Sequence, residues 1–446
     1  MFDTVAQYGE VLKNEVVDDW HPPVMVRLWQ LLHPLGPAAV PMFVLQAGLY
    51  AAGFALVIAA LARGGRWRAG VAVLALAMSP LLLGWQMVVL KDTQMLGALL
   101  AAFGIVAYFR LSGRRIPVAA MVVIGILVGY ATLVRANAAF ATVPLVVLIL
   151  PRPGPIALRA GLALTALGVV LAITPLVNHR LLGATSTGVA KTLPIFDLAA
   201  IAVAAPGAPS PFTPAERSRI AGRHCVKNFF WDPLGDPTAC GPLTERLKTE
   251  PESELYGELA RAVATHPLAY AVHRIGHWNS TQRWLVSSNL SGAAPPLVAE
   301  PNPLGLETPP SPFASSWQYA AAMESATPLG WPITWTFLGL FLLPRAWRQR
   351  ADPAGGLALA LLVSSLTLEA SFLVVSIASD LRYHLWPFAA VPLALILLAD
   401  KPWLSRRLRI ALGAGVLFIV IGGFLARDAL PRAPDTYEDM IHAPSG

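Results

Sequence analysis

The sequence predicts an all-α protein that crosses a membrane about ten times and carries one mixed, mainly helical domain outside it. Three observations predict this: composition, the spacing of apolar runs, and the alternation of basic residues between them. Of 446 residues, 55% are hydrophobic and only 13% charged, with a mean hydropathy of +0.57. A soluble domain carries roughly 25% charged residues, so this chain has too few polar side chains to cover a water-exposed surface. Lipid is the remaining solvent, and in lipid a helix satisfies its own backbone.

The apolar runs fall at 38–62, 69–88, 93–110, 116–134, 137–151, 157–178, 328–344, 354–378, 385–400 and 409–426. A helix crossing a hydrocarbon core needs about 20 residues. The pair 116–134 and 137–151 is the shortest hairpin of the set, and Pro144 interrupts its second member.

Basic residues set the orientation. One set of loops holds Arg63, Arg66, Arg68, Arg110, Arg114, Arg115, Arg152, Arg159, Arg345, Arg348, Arg350, Lys401, Arg406, Arg407 and Arg409. The alternate short loops hold Lys91, Arg135 and Arg382. Fifteen against three places the Arg-rich loops in the cytoplasm. The N-terminus, the segment 179–327 and the C-terminal tail then lie outside. This divides the chain into an N-terminal membrane module (1–178), an outer domain (179–327) and a C-terminal membrane module (328–446). The net charge of +7 does not point to nucleic acid, because the basic residues lie in short runs between apolar segments. Both cysteines, Cys225 and Cys240, fall in the outer domain, where an oxidising compartment favours a disulfide.

Polar residues gather at the outer ends of the spans. Asp18-Asp19-Trp20-His21-Pro22-Pro23 precedes the first. Trp85-Gln86 and Lys91-Asp92 lie between the second and third, and Arg135 and Asn137 between the fourth and fifth. Asn178, His179 and Arg180 follow the sixth; Asp380 to His384 lie between the eighth and ninth. Lys91, Arg135 and Arg382 run against the charge bias, and such a charge has a cost that a site would explain. Three cations at one membrane surface suit an anionic group such as a phosphate. Taken singly, each has a plainer reading: the arginines snorkel to lipid phosphates, and Asp92 caps the next helix. Asp18 and Asp19 are the carboxylates best placed for chemistry, held on an extended lead-in by Pro22-Pro23. Residues 24–35 then form a short interfacial helix. Glu369, inside the eighth span, calls for a partner or a proton.

In the outer domain, 205–214 and 292–313 are rich in turn residues, whereas 251–290 reads as helix with Leu255, Leu259 and Val263 on one face. Phe229, Phe230, Trp231, Trp278, Trp284 and Trp317 would make a lid able to stack on sugars, or simply a core.

Several short motifs together resemble the GT-C polytopic glycosyltransferases. They are Asp19-Trp20-His21-Pro22-Pro23, Leu90-Lys91-Asp92-Thr93, Arg135-Ala136-Asn137 and Arg382-Tyr383-His384-Leu385-Trp386-Pro387. Within the superfamily the chain is most similar to the bacterial relatives of protein mannosyltransferases and of the lipid A aminoarabinose transferase. His266-Pro267-Leu268-Ala269-Tyr270 with His273-Arg274 is also similar to a segment of such proteins. The resemblance implies a multi-pass protein of the bacterial inner membrane with its active site facing the periplasm or exterior. It implies transfer of a sugar from a polyprenyl phosphate to an extracytoplasmic glycan, lipid or protein. The catalytic residues would be Asp19 or Asp18 as base, with His21 beside them. Lys91, Asp92, Arg135, Arg382 and His384 would hold the donor phosphate. It also implies one more helix ahead of the acidic loop, which this numbering lacks, and a spaced acidic pair where this chain has adjacent aspartates. No resident cofactor is implied, and a divalent metal is left open. Two alternatives remain: a transporter or flippase of lipid-linked substrates, which would place polar residues at the midplane, and an O-antigen ligase or polymerase.

Overall fold

A computed structural model describes residues 2–13, 15–150, 155–306, 309–399 and 405–443; Arg152 and Lys401 of the charge count lie outside these. Each apolar run named above contains a helix, with non-helical residues at several run ends, at Ser79 and at 376–378. Two short helices come first, α1 (Phe2–Val11) and α2 (Pro23–Leu32), the latter started by Pro23 and extended by a 3-10 turn, His33–Leu35. Then follow α3 (Val40–Arg63), α4 (Trp67–Ala77), α5 (Pro80–Gln86), α6 (Lys91–Leu111), α7 (Val118–Leu133), α8 (Ala139–Ile149) and α9 (Ile156–Leu176). The second run is broken: α4 and α5 meet at 55°, where Pro80 follows the extended Ser79.

Among the described residues, six helices are long and apolar enough to cross a membrane, or seven if the bent pair is one span. α7 and α8 are apolar but shorter, with Pro144 inside α8. The coarse expectation of a helical membrane protein therefore holds, while the figure of ten crossings goes beyond these lengths.

α3 and α6 form the centre of the bundle because glycines let their backbones touch. A Cβ on Gly53 would lie 2.4 Å from the Leu100 carbonyl carbon, and one on Gly104 would lie 2.5 Å from the Gly53 oxygen. At the periphery, no residue of α9 is buried, which is the environment expected of a lipid-facing helix.

The outer segment continues with α10 (Thr192–Ala204), α11 (Pro214–Gly222), α12 (Asp232–Gly235), α13 (Gly241–Thr249), α14 (Glu252–Thr265) and α15 (Pro267–Gln282). These share a core that includes Phe196, Ile220, Trp231, Leu234, Leu247 and Leu255. Cys225 and Cys240 are bonded within it, their Cα atoms 6.2 Å apart. Two corrections follow. The domain is not mixed: among the described residues there is no strand, only isolated bridges at Asp18–Thr185 and Phe230–Ala378. Nor is 251–290 one helix. Pro267 has no N–H and pushes His266 out of the helical region (φ −131°, ψ 57°), so α14 and α15 are separate, and residues 283–290 are not helical.

The rest of the chain comprises α16 (Pro312–Ala326), α17 (Pro332–Arg348), α18 (Pro353–Val375), α19 (Leu385–Leu398), α20 (Arg406–Ala429) and α21 (Tyr437–His442). α16 leaves the outer core and packs on α5, where Glu324 accepts from the Ser79 hydroxyl (3.0 Å) and the Leu81 N–H (2.9 Å). α21 returns to the outer core: Met440 and Ile441 join it, and Lys227 Nζ donates to the Ala443 carbonyl at 2.7 Å. The tail and the outer domain are thus on one side of the bundle. Arg274 ties the domain to the bundle, donating to Asp197 (2.6 Å) and to the Ser376 carbonyl (2.7 Å), with His273 Nε2 3.2 Å from the same aspartate. The His273-Arg274 pair of the sequence motif is therefore a buried strut.

Candidate functional site

The site begins with how α6 starts. Leu90 is extended (φ −143°, ψ 157°), and its N–H donates back to the Thr93 hydroxyl at 3.1 Å. Thr93, not Asp92, closes the helix start, so the capping reading of Asp92 gives way. Buried amides fix this turn to α3 and α7. Gln46 donates to the Gln86 carbonyl (2.7 Å), Gln94 donates to Gln46 (3.0 Å), and Tyr130 donates to Gln94 (3.2 Å). Lys91 and Asp92 therefore stand on a rigid corner.

Three connections bring charge to that corner. Arg135, extended between α7 and α8, donates through Nη1 to Asp92 and through Nε to Asn137 (2.6 Å), its guanidinium 3.9 Å from the centre of the Tyr383 ring. Arg382 lies in the 3-10 turn Leu381–His384 that opens α19. Its Nη2 stands 2.9 Å from Asp380, its Nη1 2.9 Å from Asp3, and its Nε 3.6 Å from Asp92. The third comes from α1: Lys91 Nζ lies 3.7 Å from the same Asp3 oxygen. Three cations thus meet three aspartates.

Exposure divides the cluster. The side chain of Asp92 is fully buried (0%) and that of Arg135 nearly so (11%), whereas Lys91 (20%), Asp3 (17%) and Asp380 (27%) form an accessible edge. A buried ion pair with hydrogen bonds serves as a foundation; the accessible edge is where a ligand can enter. Among the described residues, Asp3 Oδ2, Asp92 Oδ2 and Arg382 Nε and Nη1 meet one another as ion pairs without hydrogen-bond geometry, and His21 Nδ1 is buried without a hydrogen-bond partner. Such atoms are few in folded proteins, and their concentration here leaves hydrogen-bonding capacity for a polar ligand. Burial favours the neutral form of Asp3, but Lys91 and Arg382 outweigh it and hold its carboxyl well below the usual carboxylate range. Burial, with Lys91 and Arg382 opposing Asp3, lowers the His21 imidazole to about 4, so it is neutral at pH 7.

The other expected site residues lie elsewhere. Asp19 accepts at Oδ1 from the Thr187 N–H (2.7 Å) and hydroxyl (2.6 Å), and its Oδ2 is 3.5 Å from His179 Nε2. Asp18 accepts from the Trp20 N–H at 2.9 Å and bridges to Thr185. Neither forms an ion pair with Lys91, Arg135 or Arg382 among the described residues. His384 is tied to Glu369, its Nδ1 2.8 Å from Oε1, while Gln282 donates to the same carboxylate at 2.5 Å. Glu369 therefore has its partner, and His384 faces a second buried network rather than the cations. Lys91, Asp92, Arg135 and Arg382 do come together, with His21 close enough for the charges of Lys91 and Arg382 to act on it.

Asp3 and Asp380 were not among the expected site residues. The signal for Asp3 was present: Asp3, Gln7 and Glu10 recur at helical spacing, and Gln7 and Glu10 are buried. A polar row on the inner face of a helix needs partners. Among the described residues, no group of three or more His, Cys, Asp or Glu side chains is arranged to hold a metal ion. No protein-family model, curated protein or solved structure matches this chain.

Proposed function

We propose that this chain is a membrane glycosyltransferase that moves a sugar from a polyprenyl phosphate to an acceptor hydroxyl outside the cytoplasm. The observation that carries the reading is the Asp3–Lys91–Arg382 group: an accessible carboxylate beside two cations, at the end of the bundle shared with the outer domain. The acceptor hydroxyl attacks the anomeric carbon and gives its proton to Asp3. The bond from that carbon to the phosphate oxygen breaks, its electron pair stays on the lipid phosphate, and Lys91 and Arg382 offset the charge that develops. Asp3 is a weak base while both cations face it. A donor phosphate seated on Lys91 and Arg382 would offset their charge and raise its basicity, so donor binding would switch on the base. Asp92 and Arg135 hold this arrangement in place, and the base is Asp3 in preference to Asp19, whose two oxygens face Thr187 and His179, or Asp18, which has no ion pair with the cations among the described residues.

The membrane topology belongs to the same proposal: about ten crossings, Arg-rich loops in the cytoplasm, and the outer domain in the periplasm or exterior. Reporter fusions after Arg115 and after Gly207 should report opposite sides; the same side for both would overturn it. The activity is tested with purified protein in vesicles supplied with radiolabelled polyprenyl-phosphate sugars and an acceptor fraction from the cell envelope. Label should pass to the acceptor. Label that crosses the vesicle membrane while still on its lipid would identify a flippase instead.

A further inference from the structure

Two consecutive helices of the outer domain, α14 and α15, are built in opposite senses. α14 is arranged as for water: Leu255 and Ala262 are buried, while Glu252, Glu254 and Arg261 face outward. α15 is the reverse. Its buried residues are His273, Arg274, His277, Ser280, Thr281 and Gln282, every one polar. Its outward row is Leu268, Val272 and Ile275, at helical spacing and each more than half exposed. In water this inversion would leave apolar side chains unburied and give the buried side to polar groups. In a bilayer it is the ordinary arrangement, with polar groups facing the bundle and apolar groups on lipid. The break at Pro267 is where one sense gives way to the other.

The contacts of α15 set it beside the longest apolar helices. Arg274 donates to the Ser376 carbonyl (2.7 Å), one residue beyond the end of α18 that the outer domain shares. Further along, Trp278 donates to the Glu369 carbonyl (3.2 Å) and Gln282 to the Glu369 carboxylate (2.5 Å), while Thr336 of α17 donates to Gln282 (2.9 Å). Glu369 lies about 10 Å down α18 from Ser376, at 1.5 Å per residue. Between Arg274 and Gln282, α15 covers about 12 Å along its own axis, so it descends alongside α18 into the bundle. The chain then meets α20, where Trp284 donates to the Ile419 carbonyl (3.0 Å), about 15 Å before that helix ends at Ala429. α18 and α20 are both long and apolar enough to cross a membrane, and α20 buries only Ile419 and Gly423.

The outward row of α15 runs on to the outward face of α20. Asn279, next on the row, accepts from the Leu285 N–H (3.0 Å) and donates to the Leu285 carbonyl (2.8 Å), so both ends of its amide are used. Leu285 is exposed, and a Cβ on Gly422 of α20 would lie 3.7 Å from its side chain. Beside it, the Trp284 ring meets edge-on that of Phe418, an exposed residue of α20, at 5.6 Å. We propose that α15 is a re-entrant helix whose Leu268–Val272–Ile275 face lies on the acyl chains of the leaflet next to the outer domain, with Leu268 nearest the headgroups and Ile275 deepest. The irregular backbone that follows suits that depth because protein donors satisfy it: Arg427 donates to the Arg283 (2.8 Å) and Trp284 (3.0 Å) carbonyls. The inference rests on the helical membrane character of the chain and not on the sugar-transfer reading.

The test uses the full chain in phosphatidylcholine nanodiscs, as the single variants Leu268→Cys, Val272→Cys and Ile275→Cys, with Arg261→Cys on α14 as the water-facing control. Each introduced thiol carries a nitroxide label, while Cys225 and Cys240 stay bonded to each other and unlabelled. All four substitutions replace exposed side chains, so the fold should be retained, and an unchanged Tm checks this. Electron paramagnetic resonance reads collisions of each label with oxygen, which concentrates in lipid, and with a nickel chelate, which stays in water. The oxygen-to-nickel ratio should rise from Leu268 to Ile275, and at Ile275 it should exceed that at Arg261 severalfold. Labels at Val272 and Ile275 as open to the nickel chelate as the one at Arg261 would overturn the proposal. Shielding of both labels from both reagents would also overturn it, and spin–spin broadening would then assign the face to a second copy of the chain.

Discussion

Two acidic groups sit near the start of this chain, and they have different fates. Asp18 and Asp19 belong to the conspicuous motif, yet one Asp18 oxygen accepts from the Trp20 N–H, and both Asp19 oxygens are engaged by the Thr187 N–H and hydroxyl and by His179. They stitch the lead-in segment to residues 185–187. Asp3 lies in an unremarkable helical turn, yet it faces Lys91 and Arg382 across a partly open edge. What separates them is the kind of partner. Backbone and hydroxyl donors fix a carboxylate as part of a loop, whereas cations at a partly open edge leave it able to trade partners with a ligand. A motif locates a segment, and the partners decide which of its residues can do chemistry.

The largest contrast is expected in catalysis. Asp3→Asn should reduce sugar transfer by about 10²–10⁴-fold, the range of a general base, with membrane insertion unchanged; Asp19→Asn should stay within about threefold of wild type, less than the loss of any such catalytic group. Rates measured on equal amounts of inserted protein check both, and equal losses in the two variants would erase the distinction drawn here.

Next in size is the foundation of the cluster. Arg135→Ala leaves Asp92 buried and unpaired, a change that costs about 3–5 kcal/mol. Its thermal unfolding should shift far more than that of Lys91→Ala, whose side chain is more exposed than those of Arg135 and Asp92. A smaller effect is expected at the stitched aspartate. Asp19→Ala removes hydrogen bonds to Thr187 at about 1–3 kcal/mol, which limited proteolysis around 185–187 should register while transfer persists.

The smallest effect concerns pH. Burial, reinforced by Asp18 and Glu15, raises the Glu10 carboxyl to about 8. A folded value above the unfolded one means that the contribution of Glu10 to stability is full below about 4.5 and lost as pH rises through about 8. The Tm of the wild type should therefore drift down across that window relative to Glu10→Gln. Parallel curves would show that Glu10 does not couple α1 to the Asp18 segment.

Much of the fold was legible because lipid imposes a simple rule. Long apolar runs must be helices, and each of the ten runs contains one. The convergence of Lys91, Arg135 and Arg382 was legible too, since charges against the loop bias need a reason. Less legible was anything that depends on which element packs on which. Pro267 marks a helix break in plain sight, but the apolar face of Leu255, Leu259 and Val263 that suggests a helix lies wholly before it. The row Asp3, Gln7 and Glu10 marks an inner polar face of α1, but which partners it meets, at the starts of α6 and α19, is a long-range contact that no local pattern specifies. His384 looked like part of the cation group because it follows Arg382, yet two residues along a 3-10 turn its ring points to Glu369.

The most direct test of the central claim is the binding of a short-chain polyprenyl phosphate to the full chain, measured by native mass spectrometry or by scintillation proximity with labelled ligand. Arg382→Ala should lose most of the binding, Asp19→Asn should bind as the wild type does, and Asp3→Asn should bind at least as well, because it frees Lys91 and Arg382 from their carboxylate. Binding unaffected by Arg382→Ala, or abolished by Asp3→Asn, would contradict the assignment of this corner as a donor-phosphate site with Asp3 as its base.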